Sequence, residues 1–430
     1  MSLGKLTVNG RQDGFLCDGK PFFWFADTCW SAFTSIPEAD WDYYLTRRAE
    51  QGMNVLQINT LPQWDRCCPD LGIWPYASED GVHFDWSQPN QAYWDRAAAM
   101  CRAAVEHGIR PALVLMWCNY VPGTWGAKIA ERCGAEVMPR EEVRAHVARV
   151  VENLGEFDPV YVVTGDTDFA GDEAIAYYED ALDEVAKRAP EALRTMHINR
   201  GNRTIPAQYL DRLDFYMFQP GHNYEGQPEA WRLPQDFIAN YPKKPMVNSE
   251  PCYEQMGYSH MLYGRFRRAD VRLACWRSLL AGANAGITYG AHGIWNWQNP
   301  DVKVGNALGE GFLQALRHEQ ALYLEGANDF GFARELVEEL GLFGATSDQG
   351  VLESYPEDVR AARTTDGRLV LYVPSNAALK LRGDLSGATV TCIDLLSRER
   401  SVLLARFDAE KDLTTVEQGT YLEDAVYVIG

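Results

Sequence analysis

The stretch that decides the fold begins RPALVLMW at Arg110 and continues, after a helical segment, with VYVVTGD from Val160 to Asp166. Each piece is a short apolar run, which is typical of a strand buried on both faces. The segment 140–155 between them has the apolar spacing of a helix. A buried strand, a helix and a second buried strand form the repeating unit of α/β proteins with parallel sheets.

The same alternation extends in both directions along the chain. Six further apolar runs are PFFWFADTCW from Pro21, NVLQINTL from Asn54, RTMHIN from Arg194, DFYMFQPG from Asp214, KPMVNSEP from Lys244 and GITYGAHGIW from Gly286. Helices are predicted at 37–52, 88–108, 140–155, 172–189, 206–213, 228–240, 269–282 and 309–326. Eight strand-helix units predict a (β/α)8 TIM barrel. Because no GxGxxG or Walker loop follows the first strand, an open nucleotide-binding sheet is not favoured.

The pattern changes near Val351 to short alternating segments with turns between them. These are RLVLYVPS from Arg368, ATVTCIDLL from Ala388 and DAVYVI from Asp424. Such alternation predicts a small all-β sandwich domain. We therefore expect a barrel with an N-terminal strand segment over residues 1–345 and the sandwich over 346–430. The sandwich contains no cluster of catalytic residue types, which favours a structural buttress over a sugar-binding module.

Charge and hydropathy exclude several classes of partner. The chain has 60 acidic and 40 basic residues, a formal net charge of −20, which opposes binding to nucleic acid. No apolar stretch is long enough to predict a membrane span. The 13 Trp and 21 Tyr suit stacking on the faces of a neutral sugar, although core packing accounts for most of them.

The cysteines indicate a reducing compartment. Ten are scattered without zinc-type spacing, and the adjacent pair Cys67 and Cys68 is too close for a relaxed disulfide. The first residues show no export leader, so we expect a cytoplasmic protein. Nothing in the sequence indicates an oligomeric state.

In a barrel of this kind the active site lies at the carboxyl ends of the strands. The polar and aromatic residues at the ends of the eight runs are Asp27, Thr28, Trp30, Asn59, Trp64, Trp117, Asn119, Asp166, Asp168, His197, Asn199, Gln219, His222, Glu250, Tyr253, His292, Trp295 and Trp297.

Two carboxylates stand out because they follow directly on strong apolar runs, Asp166 after the fourth and Glu250 after the seventh. Glycoside hydrolysis needs one carboxyl group that donates a proton to the leaving oxygen and one that stays ionised. Alternatives remain for each. Asp166 suits a helix N-cap or a calcium loop, and Glu250 suits an ion pair at the edge of the core.

Three histidines at strand ends, His197, His222 and His292, are the usual beginning of a barrel metal site. None has HxH or HExxH spacing, so hydrogen bonding to sugar hydroxyls is favoured and no cofactor or metal is expected. Trp117, Trp295 and Trp297 are expected to form stacking walls, with core packing as the alternative.

Six segments carry a family resemblance: GKPFFWFADTCWSAF from Gly19, QINTLPQW from Gln57, TGDTD from Thr164, FQPGH from Phe218, VNSEPCYE from Val247 and YGAHGIWNW from Tyr289. In this order they resemble the apiosidase-like catalytic domain family, which is similar to a clan of retaining glycoside hydrolases. RLVLYVPSN and LSGATVTCID resemble the small β domain of collagen-binding type that follows it.

The resemblance implies Asp166 as general acid/base and Glu250 as nucleophile. The resemblance also implies that the sugar is surrounded by Asp27, Trp30, His222, Tyr253 and Trp295. It implies apiose-containing pectin side chains as the substrate. The chain departs from the clan pattern at Gly165 and Asp166, where Asn and Glu are usual, and the β domain has DLLSR at 394–398 in place of a DPRTG-like turn.

The sequence therefore predicts a retaining exo-glycosidase that acts on a small neutral or plant-derived glycan. Two alternatives remain, a metal-assisted hydrolase on the same barrel and a non-catalytic carbohydrate-binding protein. The residues do not indicate the sugar, linkage or anomer.

Overall fold

The computed structural model of the protein describes residues 3–66, 70–258, 263–299, 314–353 and 357–430. The chain begins with a three-stranded antiparallel sheet of β1 (Leu6–Val8), β2 (Phe15–Cys17) and β3 (Lys20–Phe22). The Phe15 ring packs edge-on against Phe215, with ring centroids 5.0 Å apart, and against Trp24 at 6.2 Å. This sheet therefore covers the end of the barrel at which the strands begin.

A barrel of parallel strands follows. The next strands in chain order are β4 (Trp24–Thr28), β5 (Val55–Asn59), β6 (Tyr76–Ala77), β7 (Asp85–Pro89), β8 (Arg110–Trp117), β9 (Val160–Gly165), β10 (Arg194–Thr195), β11 (Tyr216–Phe218), β12 (Met246–Asn248) and β13 (Gly286–Tyr289). Apart from the antiparallel pair β6 and β7, they form one parallel sheet in the order β10-β9-β8-β5-β4-β13-β12-β11. At the seam the Asp214 N–H donates to the Arg194 carbonyl at 2.9 Å, and the Thr195 hydroxyl donates to the Phe215 carbonyl at 2.8 Å. The predicted eight-stranded barrel is confirmed, nearly closed.

The helices of the described residues are α1 (Ala32–Ser35), α2 (Glu38–Glu50), α3 (Gln91–Glu106), α4 (Trp125–Ala130), α5 (Arg140–Leu154), α6 (Asp172–Arg188), α7 (Ala207–Leu210), α8 (Glu229–Asn240), α9 (Arg268–Ala281), α10 (His318–Ala321) and α11 (Gly326–Leu340). Short 3-10 turns lie at Cys118–Tyr120, Glu131–Cys133, Gly155–Phe157 and Gln349–Val351. Seven of the predicted helices correspond to α2, α3 and α5–α9.

The predicted helix at 309–326 is wrong as one continuous helix. Residues 309–313 lie outside the described part, residues 314–317 are not helical, only the one-turn helix α10 (His318–Ala321) lies within the range, and the long helix α11 begins at Gly326. Gly326 and Gly331 look like helix breakers in the sequence. At Gly331 the absent side chain is needed, because a Cβ there would lie 2.5 Å from the Gln51 carbonyl oxygen. The helix thus lies directly against the end of α2.

The C-terminal part is all β. Its strands are β14 (Thr346–Ser347), β15 (Arg360–Arg363), β16 (Leu369–Val373), β17 (Leu379–Arg382), β18 (Val390–Asp394), β19 (Arg400–Leu403), β20 (Ala405–Asp408), β21 (Leu413–Val416) and β22 (Ala425–Ile429). They form a six-stranded sheet, β14-β15-β16-β22-β18-β19, and a three-stranded sheet, β17-β21-β20, both antiparallel. The predicted small all-β region is confirmed, whereas the domain boundary at residue 345 stays a prediction.

The larger of these sheets packs on the barrel. Alternate residues of β16 face opposite ways, so that Val370 and Tyr372 join the barrel's core while Leu369, Leu371 and Val373 join a second core between the two sheets. The β region therefore shares an apolar interface with the barrel.

A buried charge network crosses the same interface. Arg272 of α9, 1% exposed, donates to Asp329 of α11 at 2.8 Å and from Nε to Asp424 at 2.9 Å. The Tyr372 hydroxyl also donates to Asp424, at 2.9 Å. Arg272 and Asp424 thus each have partners on both sides of the interface, and every buried charge of the network is paired, as burial of a charge requires.

Neither a disulfide nor a membrane-spanning helix occurs in the described part of the chain. The described cysteines with free thiols are Cys17, Cys29, Cys101, Cys118, Cys252, Cys275 and Cys392. Cys67 and Cys68 lie outside the described residues, and the cellular compartment stays a prediction. No described helix is both long and apolar enough to cross a bilayer.

Candidate active site

A cavity of about 90 Å³ opens at the carboxyl ends of the barrel strands. Its lining residues are Trp30, Gln63, Trp64, Asp65, Trp117, Trp125, Asp166, His222, Glu250, Tyr253, Met256 and Trp295. Five tryptophans and a tyrosine form flat walls, and three carboxylates and a histidine supply polar groups between them. Aromatic faces with a few convergent polar groups are what binds sugars and other compact polar ligands.

Asp166 and Glu250 face each other in this cavity. Asp166 follows β9 and Glu250 follows β12, and one carboxylate oxygen of each lies within 4.8 Å of the other and of a His197 ring nitrogen. Their side chains are 17% and 9% exposed. The predicted pair of carboxylates therefore shares a single site, open to a ligand from one side.

The backbone at Asp166 explains why the chain has Gly165 and Asp166 at this place. Gly165 lies against the Trp117 ring so closely that a Cβ would fall 2.1 Å from a ring carbon. Asp166 has a left-handed φ of 57°, which Asp tolerates better than a longer side chain does. The Trp125 indole donates to the Asp166 carbonyl at 2.8 Å. This turn directs the short carboxylate into the cavity.

Burial and a neighbouring charge keep Asp166 protonated to unusually high pH. Loss of hydration raises the pKa of Asp166 most, and the negative charge of Glu250 raises it further, to about 7. His197 and a hydrogen bond from the Gln219 side-chain amide act in the opposite direction. Asp166 is thus suited to donate a proton near neutral pH.

Two histidines hold Glu250 in its ionised form. His197 Nδ1 accepts from the Asp166 N–H at 3.2 Å, and His222 Nδ1 accepts from the Tyr253 N–H at 3.3 Å. Each ring therefore carries its proton on Nε2, which lies 3.2 Å from Glu250 for His197 and 2.9 Å for His222. The two Nε2–H groups approach different oxygens of the carboxylate.

The pKa of Glu250 is consequently low. Burial alone would raise it, but the hydrogen bond from His222 and the His197 Nε2–H group close to the other oxygen outweigh burial and lower the pKa to about 2. The Tyr253 hydroxyl, in the same wall of the cavity, accepts from the Trp30 indole at 3.1 Å. One protonated and one ionised carboxyl group are the division of roles that glycoside hydrolysis requires.

The three histidines His197, His222 and His292 are not arranged as ligands that bind a metal ion through Nε2. A neutral histidine that binds a metal through Nε2 must carry its proton on Nδ1. In His197 and His222, Nδ1 instead accepts a backbone N–H, and His292 Nδ1 accepts from the Trp295 indole at 3.0 Å. The trio His197, His222 and His292 is therefore unsuited to bind a metal through Nε2.

Several predicted site residues line the cavity, and others contact the residues that line it. Trp30, Trp64, Trp117, His222, Tyr253 and Trp295 lie in the wall with the two carboxylates. His197, fully buried, stacks under Trp117 with ring centroids 5.9 Å apart. Gln219 donates to Asp166 and to the Ile198 carbonyl. His292 orients Trp295 through its ring nitrogen. These three act on the walls or on the carboxylates and do not line the cavity themselves.

Asp27 and Trp297 are placed elsewhere, contrary to expectation. Asp27 points toward α2, where it accepts from the Tyr44 hydroxyl at 2.7 Å and pairs with Arg48 at 2.6 Å. Neighbouring strand residues alternate between the two faces, and Thr28 is the one that points inward, where Gln57 donates to it at 3.4 Å. Trp297 is buried against Tyr44 and His318.

Asn59 does not line the cavity either. It is 3% exposed at the end of β5, and its side-chain amide has no hydrogen-bond partner among the described residues. Its predicted contact with substrate stays a prediction.

Four lining residues were not predicted: Gln63, Asp65, Trp125 and Met256. Gln63 and Asp65 flank the predicted Trp64 in the loop after β5, so their position beside it was the available signal. Trp125 begins α4 and Met256 lies six residues beyond Glu250. Neither stands at the end of an apolar run, so no pattern in the sequence marks them.

Comparison with known proteins gives the family and the fold of the chain. A family model described as "Apiosidase-like, catalytic domain" matches residues 12–344. Among curated proteins, none matches the chain. A glycoside hydrolase family 5 crystal structure from Bacteroides vulgatus superposes with a TM-score of 0.82 at 22% identity, covering 99% of this chain and 93% of that one.

Two other solved structures share the fold. One, described only as a glycoside hydrolase, has a TM-score of 0.80 at 22% identity and covers 99% of this chain and 97% of its own. A family 5 mannosidase from Rhizomucor miehei has a TM-score of 0.53 at 13% identity, and the match covers 79% of this chain and 99% of the mannosidase chain. At identities this low, similarity to the solved structures shows only a shared fold. The family model, in contrast, matches the sequence itself over residues 12–344. The chain therefore belongs to the apiosidase-like catalytic domain family and is a glycoside hydrolase.

Proposed function

We propose that the protein is a retaining exo-glycosidase in which Glu250 is the nucleophile and Asp166 the general acid/base. The observation that carries this proposal is the surroundings of Glu250: His222 Nε2–H is hydrogen-bonded to one carboxylate oxygen, His197 Nε2 lies 3.2 Å from the other, and the Asp166 carboxyl group lies opposite. The ionised Glu250 attacks the anomeric carbon while the protonated Asp166 donates to the leaving oxygen. Asp166 then takes a proton from the water that releases the sugar.

The distance between the carboxylates supports retention. Retaining enzymes place their carboxyl groups about 5–5.5 Å apart and inverting enzymes about 6.5–9.5 Å apart, to leave room for a water molecule. The two nearest carboxylate oxygens lie within 4.8 Å of each other, which favours the closer, retaining arrangement. The small volume of the cavity supports the removal of one terminal sugar rather than cleavage within a chain.

The substrate is proposed as a small neutral or plant-derived glycan, with apiosides of pectin side chains as first candidate because of the family. β-Mannosides belong in the test panel, since a fold neighbour is described as an exo-β-1,4-mannosidase. A screen of aryl glycosides and pectin oligosaccharides, read by released sugar, identifies the substrate. Proton NMR of the first product then shows whether its anomeric configuration is retained.

Two matched pairs of variants test the assigned roles. Glu250→Gln should abolish turnover, whereas Glu254→Gln, four residues along the same loop, should not. Asp166→Asn should lower kcat by about a hundredfold to ten-thousandfold, with Asp168→Asn as its control. An inverted product, or full activity in Glu250→Gln, would refute the proposal. A protein that binds sugars with no turnover at all would instead be a binding protein.

A further inference from the structure

The loop that follows β5 brings an unpaired polar group to the cavity. Gln63 lines the cavity and is 4% exposed. Its side-chain oxygen Oε1 is buried and has no hydrogen-bond partner among the described residues. A buried acceptor without a partner destabilises the folded protein. Such an atom beside a ligand cavity indicates that the ligand supplies the missing donor.

The loop is held rigidly enough to present this oxygen at one place. Arg66, buried in the same loop, donates to the Gln63 carbonyl at 2.9 Å and to the Gly81 carbonyl at 2.7 Å. It also forms an ion pair with Asp70 at 2.6 Å, in which both side chains are almost fully buried. Because the backbone of Gln63 is fixed by a buried cation, its side chain has little freedom to find another partner.

The charges around the cavity restrict what the donor can be. Asp65, Asp166 and Glu250 line it, and no Lys or Arg stands among the lining residues that the structure describes. An anionic sugar would meet like charges in the lining of the cavity, which disfavours its binding. A neutral sugar instead presents hydroxyl groups, which are hydrogen-bond donors to an amide oxygen.

We propose that Gln63 Oε1 accepts a hydrogen bond from one hydroxyl group of the neutral sugar held between Asp166 and Glu250, and so determines which sugars the enzyme accepts. The inference rests on the proposed glycosidase function, because it takes the occupant of the cavity to be a sugar. A site built to bond a hydroxyl rejects the analogue that lacks it, because the site's buried partner is then left unpaired.

The test is a titration of the full-length protein followed by tryptophan fluorescence, since five tryptophans line the cavity. The probes are D-apiose, D-xylose, L-arabinose, D-glucose, D-galactose and D-mannose, the monodeoxy forms of each, and D-glucuronate and D-galacturonate. For the tightest neutral sugar, we expect one monodeoxy form to bind wild type about tenfold more weakly, the loss expected for one buried neutral hydrogen bond.

In Gln63→Met, which keeps the shape of the side chain and removes the acceptor, that tenfold difference should disappear. Gln63→Glu retains an acceptor oxygen, so the tenfold difference in affinity should persist in that variant. Gln235→Met, at the opposite end of the barrel, is the control, and Gln63→Leu is a second variant should the Met protein not fold by circular dichroism.

An unchanged discrimination in Gln63→Met would overturn the inference and leave the glycosidase proposal standing. Tighter binding of the uronates than of the neutral sugars would also overturn it. If no sugar in the panel binds wild type, both the inference and the proposed function fail.

Discussion

Replacing Glu250 by Gln should lower the pKa of Asp166. The substitution removes one negative charge and changes little else in size. Two unit charges 4.8 Å apart, the limiting oxygen–oxygen distance, interact by about 3.5 kcal/mol at an effective dielectric constant of about 20, which corresponds to about 2.5 pKa units. Burial, the larger cause of the raised pKa, is left in place. We therefore expect the pKa of Asp166 to fall from about 7 to about 4.5.

The assay is carbon-13 NMR of protein labelled at the aspartate side-chain carboxyl carbon, titrated from acid to mildly alkaline pH. The resonance of Asp166 is assigned by its absence from the Asp166→Asn spectrum. Glu254→Gln is the matched control, because Glu254 is bonded to Tyr289 and the Gly326 N–H and not to either active-site carboxylate. A pKa in Glu250→Gln within about half a unit of the wild-type value would refute the electrostatic coupling of the pair.

Three further outcomes are expected. Folding raises the pKa of Asp166 from 3.8 to about 7, so its ionisation opposes folding as pH rises. Asp166→Asn should therefore gain about 4 kcal/mol of stability relative to wild type between pH 4 and pH values above 7, as measured by urea unfolding. Asp27→Asn leaves the buried Arg48 without its counter-charge and should cost about 3 kcal/mol of stability, with kcat/KM of the folded enzyme nearly unchanged; a large loss of kcat/KM would return Asp27 to the substrate site. Dialysis against EDTA should leave the hydrolysis rate unchanged, and a rate restored by added zinc would contradict the histidine proton positions.

The barrel could be predicted from the sequence because its strands are buried on both faces and therefore stand out as continuous apolar runs. The same property hides which face each residue is on. Asp27 and Thr28 follow each other at the end of one run, and only the structure shows that Thr28 points inward and Asp27 toward α2. The fifth run predicts a longer strand than the two residues of β10.

The two carboxylates could be predicted because each ends a strong run, but their division of roles could not. It depends on which nitrogen of His197 and His222 carries the proton, and this is set by the backbone N–H groups of Asp166 and Tyr253. Backbone donors have no signature in a sequence. Gln63 was missed for a related reason, since the loop that holds it is shaped by Arg66 and not by an apolar pattern.

The shared interface between the barrel and the six-stranded sheet limits where the protein can be truncated. Truncation after residue 345 would expose the apolar barrel surface that packs against Val370 and Tyr372. It would also remove Asp424, one of the ion-pair partners of Arg272. Such a fragment would expose an apolar patch beside Arg272, which would keep Asp329 as its buried partner, and exposed apolar patches promote aggregation. Fusion partners and tags should therefore be attached after Gly430, and the barrel should not be expressed without the β region.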